Sequence, residues 1–278
     1  MALVTTKKMF EKAFEGGYAI GAFNINNMEI IQGVVAAAKA QNSAVILQVS
    51  KSALKYAHPK YLKAMVDAAI EETGLDIALH LDHGSDFEVC KDCIEYGFTS
   101  VMFDGSHLEY EENVAQTKKI VKYAHERGIV VEAELGKLAG VEDEVNVDAA
   151  HATYTDPDQA VDFVKRTGVD SLAIAIGNQH GHYTAPPKIN FEILAKVRDA
   201  MVLINSRARQ SWTLTDWQPS QKSWRRQASI TTPSFCTVHP LLTRDVLRCA
   251  TNTAETLRAQ KGFLRKCCVR HLPWLSAK

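Results

Sequence analysis

The sequence lacks any run of about 18 apolar residues, the length that a helix needs to cross a membrane. We also expect no signal peptide, because Lys7, Lys8 and Lys12 interrupt the apolar residues near the amino terminus, which follow a helical spacing. These two absences predict a soluble protein of the cytoplasm.

Cysteine is scarce, with six residues in 278, and four of the six lie beyond residue 200 without the regular framework of a small secreted scaffold. Cys90 and Cys93 form a Cys-x-x-Cys pair, but a second pair is missing. We therefore expect reduced thiols and no cysteine metal site.

The last part of the chain lacks acidic residues and glycine. Residues 1–200 hold 29 of the 32 acidic and 19 of the 32 basic residues, a net charge of −10, whereas residues 201–278 carry +10 and a single glycine, Gly262. Two explanations fit such a segment. It is a basic extension that binds nucleic acid or an acidic protein, or it is the product of a shifted reading frame near residue 201. Scattered basic residues and absent periodicity favour the frameshift, and we expect no nucleic-acid partner.

Before residue 201, short β-branched runs alternate with amphipathic stretches, a pattern typical of repeated βα units around a parallel sheet. Predicted strands are Ala19–Phe23, Ala44–Val49, Asp76–Leu81, Ser100–Phe103, Ile129–Glu134, Ser171–Ile176 and Met201–Ile204. Predicted helices include Met28–Gln41, Pro59–Glu72, Phe87–Tyr96, Glu111–Arg127, Pro157–Thr167 and Phe191–Arg198. Gly97, Gly128 and Gly168 follow helices, where a left-handed C-cap is expected.

We expect a (β/α)8 TIM barrel, an α/β fold that takes roughly 250 residues, incomplete after the seventh strand. A doubly wound open sheet is the alternative, but no Gly-x-Gly-x-x-Gly follows the first strand. One barrel domain would then occupy residues 1–200, and residues 201–278 would form an aberrant basic tail.

Polar residues gather where the predicted strands end, which in a barrel is the catalytic rim. They are Asn24, Ser50, Asp82, His83, Asp104, Glu134 and His180. Any one of them could simply cap a helix or meet water. Together they predict an active site.

Two histidines with two carboxylates at neighbouring strand ends are a plausible ligand set for a divalent metal. His83 and His180 supply the imidazoles, and Asp104 and Glu134 lie at strand ends between them. Catalytic zinc usually has three protein ligands, so the two histidines are one short. The carboxylate of Asp82, beside His83, could act as a general acid or base.

Six ordered segments before residue 200 resemble the class II fructose-bisphosphate and tagatose-bisphosphate aldolases. They are GAFNINN, ALHLDHG, GFTSVMFDGSH, VEAELGKLAGVEDEV, YTDP and DSLAIAIGNQHGHY. The resemblance runs from about residue 4 to about residue 200. It implies a Zn²⁺ ion that polarises a ketose carbonyl while the C3–C4 bond breaks.

The resemblance also implies the roles of individual residues. Asp82 would be the proton donor at the C4 oxygen, and Glu142, on a long acidic loop, would move the C3 proton. His83 and His180 would bind zinc. The substrate would be contacted by Asn24, Ser50 and Gly181. An alternative metal position would lie near Asp104 and Glu134.

Family members carry a third zinc histidine in a glycine-rich segment after the seventh strand, and an Asn-x-x-Thr-Asp-like segment after the eighth. Neither is present here, since the chain reads NSRARQSW from Asn205. The resemblance therefore predicts reversible cleavage of fructose 1,6-bisphosphate, a glycolytic reaction, by a chain that is inactive or weak as it stands. The alternatives are a tagatose-bisphosphate aldolase, or a dead aldolase fragment with a basic interaction tail. Related proteins form homodimers or homotetramers.

Overall fold

The computed structural model describes residues 3–138, 140–142, 145–147, 152–180, 188–206 and 237–238. In these ranges the helices are α1 Thr6–Gly16, α2 Met28–Ala40, α3 Lys51–Tyr56, α4 Pro59–Thr73, α5 Phe87–Glu95, α6 Tyr110–His125, α7 Pro157–Thr167 and α8 Phe191–Ser206. The strands are β1 Ala22–Asn24, β2 Val45–Ser50, β3 Ile77–Gly84, β4 Ser100–Phe103, β5 Val130–Leu135, β6 Gly140–Glu142, β7 Val145–Val147, β8 Ser171–Ile174 and β9 Thr237–Val238.

The principal sheet contains six parallel strands in the order β1-β2-β3-β4-β5-β8. The two residues of β9 add to β8 in the antiparallel direction, and β6 pairs with β7 as a separate antiparallel hairpin. Within this sheet, each strand lies beside the next one along the chain. The order shows none of the reversal that defines a doubly wound sheet. This arrangement confirms the predicted α/β fold as an incomplete (β/α)8 barrel.

The two faces of the sheet bury different residues, because side chains alternate along a strand. Leu47, Leu79 and Val131 point to the face covered by helices, where the main hydrophobic core lies. Ile46 and Ala78 point to the other face, where they pack against Met9 and Phe10 of α1. Helix α1 therefore covers the inner face near the amino ends of the strands and leaves the carboxyl ends for polar residues.

Local sequence explains where the helices begin and end. The side chains of Asn27 and Asp86 accept hydrogen bonds from the first turns of α2 and α5. Gly97, Gly128 and Gly168 have φ angles of 88°, 71° and 72°, which confirms the predicted left-handed positions after helices.

The predicted seventh strand, Met201–Ile204, is wrong, because α8 continues through it to Ser206. A short apolar run fits a buried strand and the apolar face of a helix equally well, and here it extends the spacing that begins with Leu194 and Val197. The short helix α3 and the hairpin of β6 and β7 were not predicted. None of the helices in the described ranges is long and apolar enough to cross a membrane.

Candidate functional site

The candidate site is built around an irregularity at the carboxyl end of β3. Leu81 pairs with Val101 of β4, but the next pair joins Gly84 to Phe103, so Asp82 and His83 together face a single residue of β4. This is a β-bulge, and the backbone of His83 has a φ angle of 51° within it. A histidine rarely adopts this left-handed conformation, and such strain concentrates at functional sites.

The bulge allows Asp82 and His83, adjacent in sequence, to meet polar groups of two different neighbours. In a regular strand the two side chains would point to opposite faces of the sheet. Here Asp82 contacts β1 and β2, and His83 contacts Asp104 beyond β4. Both are buried, at 2% and 8% exposure.

Gly84 makes this bulge possible. A Cβ atom at this position would lie 2.5 Å from the carbonyl oxygen of Met102 and 2.8 Å from Sγ of Cys90. No other residue type fits there without moving the backbone of β4.

Two side-chain amides hold the carboxylate of Asp82. Nδ2 of Asn24 and Nε2 of Gln48 donate to the same oxygen, Oδ2, at 2.6 and 2.9 Å. Nε2 of Gln48 also donates to Oδ1 of Asn24 at 2.9 Å. Donors from two strands therefore fix the position of this carboxylate. Sequence analysis missed Gln48, whose signal is a single polar residue inside the apolar run VILQV.

His83 and Asp104 form the second contact of the site. Nδ1 of His83 lies 3.0 Å from Oδ2 of Asp104, and the backbone N–H of Ser106 donates to Oδ1 at 3.0 Å. Burial alone raises the pKa of Asp104, but the hydrogen bonds from His83 and Ser106 and the charge of His83 outweigh it and lower this pKa to about 2. Asp104 is therefore a carboxylate at neutral pH.

One imidazole and two carboxylates converge at this point. His83, Asp104 and Glu134 are all buried and each offers a ligand atom within 4.8 Å of those of the other two. The ring of His180 lies edge-on to that of His83, with 5.2 Å between centroids. Imidazole nitrogen and carboxylate oxygen are the ligand types that Zn²⁺ and similar divalent cations take in proteins.

A second group of buried polar side chains lies on the same sheet, nearer to α1 than the metal-ligand candidates are. Nδ1 of His80 lies 2.8 Å from Oγ of Ser100, and its Nε2 lies 3.9 Å from a carboxylate oxygen of Glu132. Burial and the nearby charge of His83 lower the pKa of His80 to about 3, so His80 is neutral at physiological pH. Sequence analysis singled out neither His80 nor Glu132, because both lie inside their strands rather than at the strand ends where polar residues were expected.

Three further residues were predicted for the site: Ser50, Glu142 and Gly181. Oγ of Ser50 accepts a hydrogen bond from the backbone of Ala53, which makes Ser50 the N-cap of α3. The backbone of Glu142 lies in β6, but its side chain is outside the described part, and so is Gly181. The structure thus brings together Asn24, Asp82, His83, Asp104, Glu134 and His180.

Residues 4–207 match the family described as fructose-bisphosphate aldolase class-II. The fructose-bisphosphate aldolase of Treponema pallidum is 50% identical over 218 residues, which cover 71% of this chain and 65% of that protein. That of Geobacillus stearothermophilus is 48% identical over 202 residues, covering 72% of this chain and 70% of that protein. The chain thus spans about two thirds of the length of these relatives.

Solved structures show the same similarity. The YdjI aldolase from Escherichia coli K12 has a TM-score of 0.63 and 38% identity, covering 72% of this chain and 70% of that one. The fructose-bisphosphate aldolase of Campylobacter jejuni has a TM-score of 0.60 at 24% identity, covering 76% of this chain and 67% of that one. The second likeness concerns the fold alone.

Proposed function

The chain belongs to the class-II fructose-bisphosphate aldolase family, and on that premise we propose that it is a zinc-dependent aldolase of fructose 1,6-bisphosphate. The products of cleavage would be dihydroxyacetone phosphate and glyceraldehyde 3-phosphate. The observation that carries this proposal is the convergence of His83, Asp104 and Glu134 within 4.8 Å, with Asp82 directly preceding His83 in the chain.

The buried donor set supports a divalent cation. Carboxylates that are removed from water cost free energy unless positive charge compensates them, and Asp104 and Glu134 are both at most 7% exposed. We assign His83 and His180 as zinc ligands, with Asp104 and Glu134 serving the same or an alternative position of the ion. When bound, Zn²⁺ would supply Lewis-acid polarisation of the ketose carbonyl.

The carboxylate of Asp82 would handle the proton of the C4 hydroxyl. In cleavage, it takes this proton while the C3–C4 bond breaks and the electron pair of that bond moves to the dihydroxyacetone half, which releases the aldehyde. In condensation, the same carboxyl returns the proton to the aldehyde oxygen. The amides of Asn24 and Gln48 support this role because they hold Asp82 in one orientation.

The second proton transfer would belong to Glu142, which protonates C3 of the dihydroxyacetone half after the bond breaks. Asn24, Ser50 and Gly181 are proposed to contact the phosphorylated substrate. A glycine at position 181 would let the backbone approach a phosphate closely. We further propose that the protein acts in the cytoplasm, as a homodimer or homotetramer, without a nucleic-acid or membrane partner.

A two-part division of the chain belongs to the same proposal. Residues 1–200 would form the aldolase unit, and residues 201–278 would be a basic tail of different origin. A catalytically inactive aldolase relative is the second candidate function. It is favoured because residues 201–278 hold a single glycine, Gly262, and no glycine-rich segment with the third zinc histidine that the resemblance leads one to expect.

The proposal is tested by following triose phosphate release from fructose 1,6-bisphosphate in a coupled assay, with added zinc and with a chelator. Tagatose 1,6-bisphosphate is the parallel substrate, since it differs in C4 stereochemistry. We expect zinc-dependent cleavage of the fructose compound, at least about a hundredfold slower than by the Geobacillus stearothermophilus enzyme, because loss of metal-site support alone costs about 10–100-fold. Absence of cleavage of both sugars under all conditions would favour the inactive relative.

A further inference from the structure

The segment between β5 and α7 is fastened at its base to the end of β8. The hydroxyl of Thr155 donates to the carbonyl oxygen of Leu135, at the end of β5, and accepts from the backbone N–H of Ala175 at 2.8 Å. Lys137 and Thr153 exchange backbone hydrogen bonds at 3.0 and 2.9 Å. The hairpin of β6 and β7 therefore rises from a base that is rigidly tied to the strand leading to His180.

Gly140, the first residue of β6, is packed directly on the backbone of His180. A Cβ atom at Gly140 would lie 3.1 Å from both the backbone nitrogen and the carbonyl carbon of His180, and still closer to the carbonyl oxygen. Its φ angle of 114° is a conformation that side chains rarely adopt. Glycine is thus required twice at this position, for the conformation and for the contact.

His180 is also confined on the side of β8. Gly177 has a φ angle of 99°, and an added Cβ there would collide with the carbonyl oxygen of Lys188. The backbone N–H of Asn190 donates to the carbonyl oxygen of Ile176 at 2.7 Å. These contacts close the base of the segment that carries His180, so Gly140 supports this residue from a second direction.

We propose that Gly140 is a positioning residue that docks the hairpin of β6 and β7 onto His180 and so couples the two. The inference rests on the proposed function, in which His180 binds the metal and the hairpin carries Glu142. Because coupling free energies are reciprocal, an ion that fixes His180 must also stabilise the docked hairpin. Metal binding and docking of the hairpin would then be one event.

Gly140→Ala is the test variant, and Gly128→Ala is its matched control. Gly128 also has a positive φ angle, 71°, but an added methyl group there would meet nothing within 4 Å. The control therefore places a side chain at a positive φ angle without a collision. Circular dichroism of both full-length variants establishes that they fold.

Two measurements are made on the unsubstituted chain and on both variants. The first is hydrogen exchange of the backbone amides of residues 140–142 and 145–147 without metal. The second is titration with Zn²⁺ alone, followed by exchange in the zinc-bound state. Expected results for Gly140→Ala are faster exchange of the hairpin and zinc affinity reduced by about 10–100-fold, the usual effect of losing a residue that orients a ligand. Gly128→Ala should match the unsubstituted chain in both.

The metal-free exchange decides the inference by itself. Equal hairpin exchange in Gly140→Ala and Gly128→Ala would overturn the docking contact, whether or not zinc binds. Faster exchange with unchanged zinc affinity would overturn the coupling. Failure of the unsubstituted chain to bind zinc would instead overturn the proposed function, and with it the link to metal.

Discussion

Nδ1 of His83 lies 3.0 Å from Oδ2 of Asp104, although one residue belongs to β3 and the other follows β4. The pair forms because two residues of β3 face one residue of β4, and His83 takes a φ angle of 51°. Its geometry therefore depends on a backbone irregularity that can be disturbed without changing either side chain.

Gly84→Ala should disturb this irregularity. The added methyl group would lie 2.5 Å from the carbonyl oxygen of Met102, and overpacking of this kind costs about 1–3 kcal/mol. We expect a loss of that size in the free energy of unfolding by urea, together with weaker zinc binding. A stability equal to that of the unsubstituted chain would show that the bulge tolerates a side chain and is not tightly packed.

His80 should make the protein sensitive to mild acid. Its pKa is about 3 in the folded chain and 6.5 in the reference state, so protons bind the unfolded chain more readily between these values. The stability contributed by neutral His80 is complete above about pH 6.5 and falls as the pH drops toward 3, by about 1.4 kcal/mol per pH unit.

The variant His80→Gln removes the titrating group and keeps a donor for Ser100. The free energy of unfolding by urea is measured at pH 7.5 and at pH 4.5. Its difference between the two pH values should be smaller in this variant than in the unsubstituted chain, by about 2–3 kcal/mol. Gln32→Ala, at an exposed and uncharged position on α2, removes no titrating group, so it is the control and should leave the difference unchanged. An equal pH dependence in all three proteins would contradict a neutral buried His80.

Asp82→Asn should separate proton transfer from metal binding. The amide is nearly the same size, so the fold and zinc affinity should be retained, whereas cleavage should fall by about 10²–10⁴-fold because the proton acceptor is lost. Zinc titration and the coupled cleavage assay measure the two effects. Asp86→Asn, at the exposed N-cap of α5, is the comparison. Parallel losses of zinc and activity in Asp82→Asn would assign Asp82 a structural role instead.

The gene should encode a different continuation in another reading frame. The change of net charge from −10 to +10 and the single glycine after residue 200 motivate this prediction. Translation of the nucleotide sequence, shifted by one or two nucleotides near codon 201, should give a glycine-rich segment that contains a His-Gly pair. If neither shifted frame gives one, the basic tail is a genuine extension.

Much of the fold could be predicted because helix caps and alternating β-branched runs act locally. The left-handed positions after helices at Gly97, Gly128 and Gly168 needed only their neighbours in sequence. The seventh strand could not be identified in this way, since an apolar run of that length does not distinguish strand from helix.

The candidate site was predicted as a set of strand ends, but its internal contacts were not. The β-bulge depends on the register of β3 against β4, and the amide pair of Asn24 and Gln48 depends on the register of β1 against β2. His80 and Glu132 were missed because hydrophobic periodicity treats a polar residue in a strand as an exception. Only the folded sheet, in which both side chains are buried and lie 3.9 Å apart, shows that they share one interior.

The central claim, that His83 and His180, together with Asp104 and Glu134, hold a divalent metal beside Asp82, is tested most directly by zinc stoichiometry. The full chain and the variant His83→Ala are dialysed against dilute zinc and analysed for bound metal, with His125→Ala as a control from a surface histidine–aspartate pair, 2.8 Å from Asp170. We predict one zinc ion per chain in the unsubstituted protein and in His125→Ala, and loss of that ion in His83→Ala. Equal zinc content in all three proteins, or none in any of them, would contradict the account.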